Sequence, residues 1–178
     1  MQAYDIKIKL VTDYLQARFT EDAKKELQNY ISKGIIKSKE DSWKVLIYED
    51  EKGIYIPNIQ VRNCLVKSGQ EFKVKKKRSS MKQWCQSSLM IKPDRIHIGK
   101  KDPDDILVSY PKRKDGSTVT MKHPLFKAGL NINFILNVLD DEMEAEAVKN
   151  LIVMGGKMYG IGARRADMYG RFDLVSMS

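Results

Sequence analysis

The sequence predicts an α+β fold: an antiparallel sheet with helices packed on one face, interrupted by a β-rich insertion. Three observations carry this. Residues 4–11 and 130–138 alternate apolar and polar side chains with the period of a half-buried strand. Residues 20–33, 57–67 and the stretch after Asp141 place apolar residues at helical spacing. Residues 70–127 instead crowd turn formers between short β-prone pieces.

The elements follow in order. Ile6, Ile8 and Leu10 alternate with Asp5, Lys7 and Lys9 to make a first strand. Thr20 is a candidate N-cap for a helix whose face is Ala23, Leu27, Tyr30 and Ile31, and Gly34 stops it. Residues 43–48 and 53–56 read as two strands across an acidic turn. Pro57 opens a second helix, where a missing N–H costs nothing, and Gly69 closes it. The insertion follows, with turns at Pro93-Asp94, Gly99, Asp102-Pro103, Pro111 and Asp115-Gly116. Leu130, Ile132, Phe134, Leu136 and Val138 then form the clearest strand. Asp140 and Asp141 favour the start of a helix by its dipole, and Gly155-Gly156 is expected to end it. A glycine-rich stretch leads to a last strand over 170–175. This order is that of a ferredoxin-like (RRM-like) sheet with helices on one face.

Length fits one domain, residues 1–178, with the insertion inside it; 178 residues do not suffice for two ordinary domains. Hydrophobic residues make up 42%, enough for a core, so wholesale disorder is excluded. The longest apolar runs, 45–48 and 151–154, are four residues, whereas a membrane helix needs about 20. No secretory leader is expected from the charged, alternating N-terminus. Cys64, Cys85, His97 and His123 lack the close pairing of a zinc site. The expectation is a cytoplasmic protein with reduced thiols, no metal, no cofactor and no membrane partner.

The charge is uneven. Net charge is +9, yet residues 67–127 hold 16 basic and 6 acidic groups, more than the whole surplus. Lys73, Lys75, Lys76, Lys77, Arg78 and Lys82 fall within ten positions, and Lys112, Arg113 and Lys114 form a second cluster. Such a segment suits neutralisation of phosphates; the alternative is a solvated loop.

Residues 155–173 read GGKMYGIGARRADMYGRFD. A dinucleotide loop follows a strand and opens a helix, and here the order is reversed. No Gly-Lys-Ser/Thr closes a Walker loop. What remains is glycine, which permits close backbone approach at Gly160 and Gly162, with cations at Lys157, Arg164, Arg165 and Arg171 and flat faces at Tyr159 and Tyr169. That mixture fits a single-stranded nucleic acid better than a mononucleotide. Its alternative is a tight loop whose arginines pair with Asp167 and Asp173.

Two motifs resemble one family. Residues 160–172, GIGARRADMYGRF, resemble the C-terminal glycine-rich loop of the RAMP superfamily, the RNA-binding proteins of CRISPR systems. Residues 56–65, IPNIQVRNCL, resemble its strand-to-helix motif IPGSSLKGALR. Pro57, Val61, Arg62 and Leu65 fall on its Pro, Leu, Lys and second Leu. Asn58, Ile59, Gln60 and Asn63 depart from its Gly, two Ser and next Gly. The motifs bracket an insertion, as in guide-RNA backbone subunits, where it forms a β-rich thumb. The resemblance implies a non-catalytic subunit that coats single-stranded RNA, with single-stranded DNA as the other candidate ligand. Its partners would be copies of itself along the RNA or other CRISPR subunits. Arg62, Lys73, Lys75, Lys76, Lys77, Arg78, Lys157, Gly160, Gly162, Arg164, Arg165, Tyr169 and Arg171 would make the contacts.

Two other functions fit the same residues. One is a stand-alone, phage-encoded coat for single strands or a mimic of a CRISPR complex. The other is a guide-RNA-processing endoribonuclease, for which His97 and His123 are the candidate acid–base groups, although both lie in the insertion. Asp13, after the first strand, is the one candidate for a target-cutting aspartate.

Overall fold

The computed structural model describes residues 1–18, 21–34, 39–73, 80–112, 114–118, 120–141 and 143–178. It shows a mixed α+β fold with antiparallel sheets, as the alternating and helical patterns predict. In chain order the elements are β1 (Gln2–Leu10), β2 (Tyr14–Leu15), α1 (Glu21–Ser32), β3 (Glu49–Asp50), β4 (Gly53–Pro57) and α2 (Asn58–Ser68). Then come α3 (Lys82–Ser88), β5 (Leu89–Lys92), β6 (Arg95–His97), β7 (Asp105–Ser109) and β8 (Met121–Phe126). The last are β9 (Asn131–Val138), α4 (Ala145–Met154) and β10 (Phe172–Met177).

The main sheet has the order β10-β1-β9-β5, and every neighbouring pair is antiparallel. β1 and β9 lie in its centre, with Ile8 opposite Ile132 and Ile6 opposite Phe134. Those side chains, with Leu10, Leu136, Ile91 and Phe172, point to one face and are buried. Val61, Cys64 and Leu65 of α2 and Val148, Leu151 and Ile152 of α4 join them in one core. Each full burial of such a side chain is worth about 1.5–3 kcal/mol, so this layer dominates the fold. The opposite face carries Asp5, Lys9, Asn131 and Asn133, all exposed. Two small sheets, β2-β8-β7 and β3-β4-β6, complete the described residues' strand pairing.

Several expectations are corrected. Residues 43–48 do not form a strand: Lys39–Leu46 is a 3₁₀ helix. Val45 and Ile47 are buried by packing, and among the described residues the strand that follows is the two-residue β3. An apolar run of four satisfies burial either way, which is why periodicity alone misassigns it. The helix expected over 20–33 is α1, but only Ala23 of it is buried; the proposed cap Thr20 lies outside the described residues. The segment 70–127 is not wholly peripheral, since its residues 89–92 supply edge strand β5 of the main sheet. Helix α3 in that segment has seven residues, too few for a helical period to show. Helix α4 begins at Ala145 rather than beside Asp140, whose carboxylate accepts the Trp84 Nε1–H at 2.5 Å.

α4 ends at Met154 with Gly155 as its C-cap, as the glycine pair predicts. The chain continues as a π turn over Gly155–Tyr159. A Cβ on Gly156 would run into the carbonyl oxygen of Phe172, and one on Gly155 would meet the Cys64 Sγ at 3.2 Å. These glycines let α4 approach β10 and α2 closely. Among the described residues no helix is long and apolar enough to cross a membrane.

Candidate nucleic-acid interface

The glycine-rich loop joins α4 to β10 and is folded back on the turn after β1. Gly160, Gly162, Arg164, Met168 and Gly170 all have positive φ. Backbone bonds stitch it together. The amides of Gly160, Ile161, Ala163 and Gly170 donate to the carbonyls of Gly155, Gly170, Leu15 and Asp13 at 2.7–2.9 Å. Thr12 Oγ1 donates to the Met168 carbonyl at 2.8 Å and accepts from the Arg171 amide at 2.9 Å. A Cβ at Gly162 would lie 2.5 Å from the Leu15 carbonyl oxygen and overlap the Tyr14 ring. Glycine at 160 and 162 thus serves close packing within the protein. The amide of Gly160 is already used and does not face a phosphate.

The basic side chains fall into two groups. Arg164 is exposed on a left-handed residue, φ 51°, followed by a 3₁₀ turn over Arg165–Asp167. Among the described residues its ion pair is with Asp167, Nε to Oδ2 at 2.8 Å. A non-glycine residue in this conformation is uncommon and held by its surroundings, here the stitched loop. Arg165, half-buried, lines a cleft of about 190 Å³ with Ala17, Gln60, Asn63 and Gly162. Lys157 is exposed and Tyr169 half-buried on the same loop.

Arg171 and Arg62 point inward. Arg171 is only 8% exposed; its guanidinium donates to the Arg165 carbonyl at 3.0 Å. Its Nε and second terminal nitrogen have no partner among the described residues. Arg62 donates through Nε to the Leu89 carbonyl at 3.0 Å and through a terminal nitrogen to the Gln86 carbonyl. It therefore ties α2 to the α3–β5 junction. Lys73 is exposed and forms an isolated antiparallel bridge with Ser80. Lys75, Lys76, Lys77 and Arg78 lie outside the described residues.

Other side chains clarify the entry to α2. Asn58, which departs from the family's glycine, donates to the Ile91 carbonyl at 2.8 Å and to Asp94 Oδ1 at 2.9 Å. The start of α2 is thus faced by a carboxylate. Cys64, near Arg165 and Arg171, has its thiol pushed up to about 12 by burial. Tyr159 donates its hydroxyl to Glu71, and this bond raises its pKa. Asp13 uses its carboxylate as an acceptor for the Ala128 amide at 2.9 Å, which is a turn-holding contact.

One residue with a role at this site was not anticipated. Gln16 is fully buried, donating to the Tyr55 carbonyl and accepting from the Tyr48 amide at 2.9 and 2.8 Å. It locks the second sheet to the third beside the loop. His123, a candidate acid–base group of the insertion, lines a cleft with Ala163 and Arg164. Burial first, and Arg164 to a lesser degree, hold its pKa below the usual histidine range. Its sequence signal, His-Pro in a β-prone run, reads as a turn. His97 is elsewhere, bonded to Asp50 at 2.9 Å on the β3-β4-β6 sheet.

The fold and loop together define an α+β chain whose helix-to-strand connection presents arginines. No family model matches the chain, and no curated protein matches it. Solved structures do. A chain from the cryo-EM structure of the type III-B Cmr-beta bound to cognate target RNA superposes with a TM-score of 0.62 at 13% identity. The match covers 99% of this chain and 59% of that one, so this protein spans a little over half of its neighbour. A chain from a type IV-B CRISPR complex matches with a TM-score of 0.48 at 10% identity, over 99% and 90% of the two chains. The first likeness establishes a shared fold with a CRISPR complex subunit.

Proposed function

We propose that the protein is a RAMP-type subunit that binds single-stranded RNA, coating a guide RNA in a CRISPR effector-like assembly without cutting it. The observation that carries this is Arg164, held in a left-handed conformation on a stitched loop with Arg165 beside it. A rigid loop offers its guanidinium groups at little cost in entropy, and such groups suit phosphate bidentately. Support also comes from the sheet order β10-β1-β9-β5 with α2 and α4 behind it, which is the pattern of a ferredoxin-like core. The likeness to a chain from an RNA-bound complex agrees with it. The gripping set is Arg164, Arg165, Lys157 and Tyr169, extended by Lys73 and the lysines that follow it. Arg62 and Arg171 shape the scaffold. Copies of the chain, or other CRISPR subunits, line up along the strand.

The test is fluorescence anisotropy with labelled single-stranded RNA, single-stranded DNA and duplex DNA at two salt concentrations. RNA binding that weakens with salt and collapses in Arg164→Ala/Arg165→Ala is expected. Binding unchanged in that variant overturns the proposal. Light scattering with a long RNA tests the lining-up of copies; a protein that stays monomeric sinks it. RNA recovered intact after long incubation is expected, because His97 is engaged by Asp50 on another sheet and the cleft that His123 lines holds no carboxylate among the described residues. Cleavage that disappears in His123→Ala would establish the endoribonuclease instead.

A further inference from the structure

A cleft of about 420 Å³ separates the glycine-rich loop from the β7–β8 hairpin. Tyr110, Met121 and His123 form one wall and Ala163 and Arg164 the other. Its size falls in the range of about 300–1,000 Å³ typical of small-molecule pockets. Three unlike groups meet there. Tyr110 is 66% exposed, a flat face that the protein itself leaves uncovered. Arg164 spends one donor on Asp167, and a guanidinium has five.

His123 is the third, and its Nδ1 is buried with no hydrogen-bond partner among the described residues. Burial disfavours the charged ring and lowers its pKa. In the neutral ring that carries its proton on Nε2, the unpartnered Nδ1 offers a lone pair. Buried acceptors without a donor are rare in folded proteins and call for an explanation. Here the explanation is a ligand that brings the donor.

We infer that this cleft is a nucleotide pocket: a base stacks on Tyr110, a donor of the same nucleotide reaches His123 Nδ1, and Arg164 holds a flanking phosphate. The inference rests on the RNA-binding function proposed above and assigns one site within it. The donor is either the ribose 2′-hydroxyl or an exocyclic amino group of the base; both present an O–H or N–H to a lone pair. His123 is screened from bulk water, so the hairpin end gives way as the nucleotide enters. Hydrogen exchange over residues 121–123 changes accordingly.

The experiment compares the wild type with Tyr110→Ala, Tyr110→Phe, His123→Phe and Arg164→Ala/Arg165→Ala. The probes are short labelled oligo(A) and oligo(U), each as RNA and as the 2′-deoxy counterpart. Tyr110→Ala is expected to weaken binding about tenfold, the scale of one stacked base, while Tyr110→Phe binds as the wild type. His123→Phe is expected to erase one preference. Loss of the RNA-over-DNA preference identifies the 2′-hydroxyl, and loss of the A-over-U preference identifies the amino group. If Tyr110→Ala and His123→Phe bind as the wild type while the double arginine variant does not, the pocket is overturned and the RNA-binding function stands. If the wild type binds none of the probes, both fall. Should His123→Phe not fold, the imidazole ¹⁵N resonance of wild-type His123 decides: a shift of Nδ1 toward the hydrogen-bonded range on adding RNA supports the pocket, and an unmoved resonance overturns it.

Discussion

The entry to α2 and the glycine-rich loop both carry an arginine where the family resemblance implies RNA contact, and they use it in opposite ways. Arg62 reaches from α2 to the carbonyls of Gln86 and Leu89, at the C-terminal end of α3 and the start of β5. A helix C-terminus presents unpaired carbonyls and partial negative charge, so a guanidinium there is consumed by the protein. Arg164 stands on a left-handed turn whose backbone is already satisfied by the β1–β2 connection, which leaves its head exposed. A motif match places a cation. The neighbouring backbone decides whether the cation is available.

The largest effect is expected where that backbone packing is tightest. Gly156→Ala drives a methyl into the Phe172 carbonyl, a backbone atom that cannot step aside. Overpacking of this kind costs about 3 kcal/mol. At roughly 2–4 °C per kcal/mol for a chain of this size, Tm falls by about 6–12 °C. Thermal denaturation followed by circular dichroism checks it; an unchanged Tm would mean that β10 does not sit against α4 as described.

Next is the contrast between the arginines. Arg62→Ala removes one part-buried and one exposed bond to carbonyls, and at about 1 kcal/mol or less each it should cost about 1–2 kcal/mol. RNA affinity per folded molecule should stay the same. Arg164→Ala/Arg165→Ala should do the reverse: stability within about 0.5 kcal/mol of the wild type and RNA binding lost. Denaturant titration beside anisotropy reads both axes. Lost RNA binding in a fully folded Arg62→Ala variant would return Arg62 to the interface.

Arg171 sharpens the comparison. It is an arginine of the loop, yet buried with two nitrogens unpartnered. Replacing an unpaired buried charge with an apolar side chain of similar length is commonly neutral or stabilising by about 1 kcal/mol or more. Arg171→Met is therefore expected to melt no lower than the wild type. It should bind RNA more weakly, because the bond that fixes the Arg165 carbonyl is gone. A lower Tm would mean that its bonds to the Arg165 carbonyl and Met168 outweigh the cost of burying the charge.

What the sequence could reveal followed from how local each signal was. β1 and β9 were legible because alternation over eight or nine residues has one physical meaning when one face is buried. α2 was legible from Pro57 and Gly69, which mark its ends. The glycine loop was visible as a loop of glycine and arginine. Its inner use of glycine was not, because the groups that Gly156 and Gly162 admit come from Phe172, Tyr14 and Leu15. The partnership of His123 with Arg164 joins residues 41 apart and depends on the β7–β8 hairpin folding over the loop. The membership of β5 in the main sheet was hidden for the same reason. Four residues inside a turn-rich basic segment carry no period of their own, and only pairing with Leu136 and Val138 makes them a strand.

The smallest effect tests the quiet side of the molecule, the β3-β4-β6 sheet. Asp50 Oδ1 meets His97 Nε2 at 2.9 Å and Asp50 Oδ2 meets Arg95 at 3.0 Å. The bond to His97 first, and that to Arg95 next, bring the Asp50 carboxyl down to about 2. A carboxylate whose folded-state pKa is depressed stabilises the fold above its unfolded value, near 3.8, and loses that contribution as pH falls through about 2. The wild type should therefore lose a small part of its stability between about pH 4 and pH 2, and Asp50→Asn should lack that part of the slope. Because the pair is solvated, salt should shrink the difference. None of this should move RNA affinity at neutral pH, since Asp50, Arg95 and His97 lie on a different sheet from the hairpin that faces the glycine loop. A pH-dependent RNA affinity that vanished in Asp50→Asn would instead extend the interface onto this sheet, where Arg95 lies 5.2 Å from the centre of the Tyr55 ring.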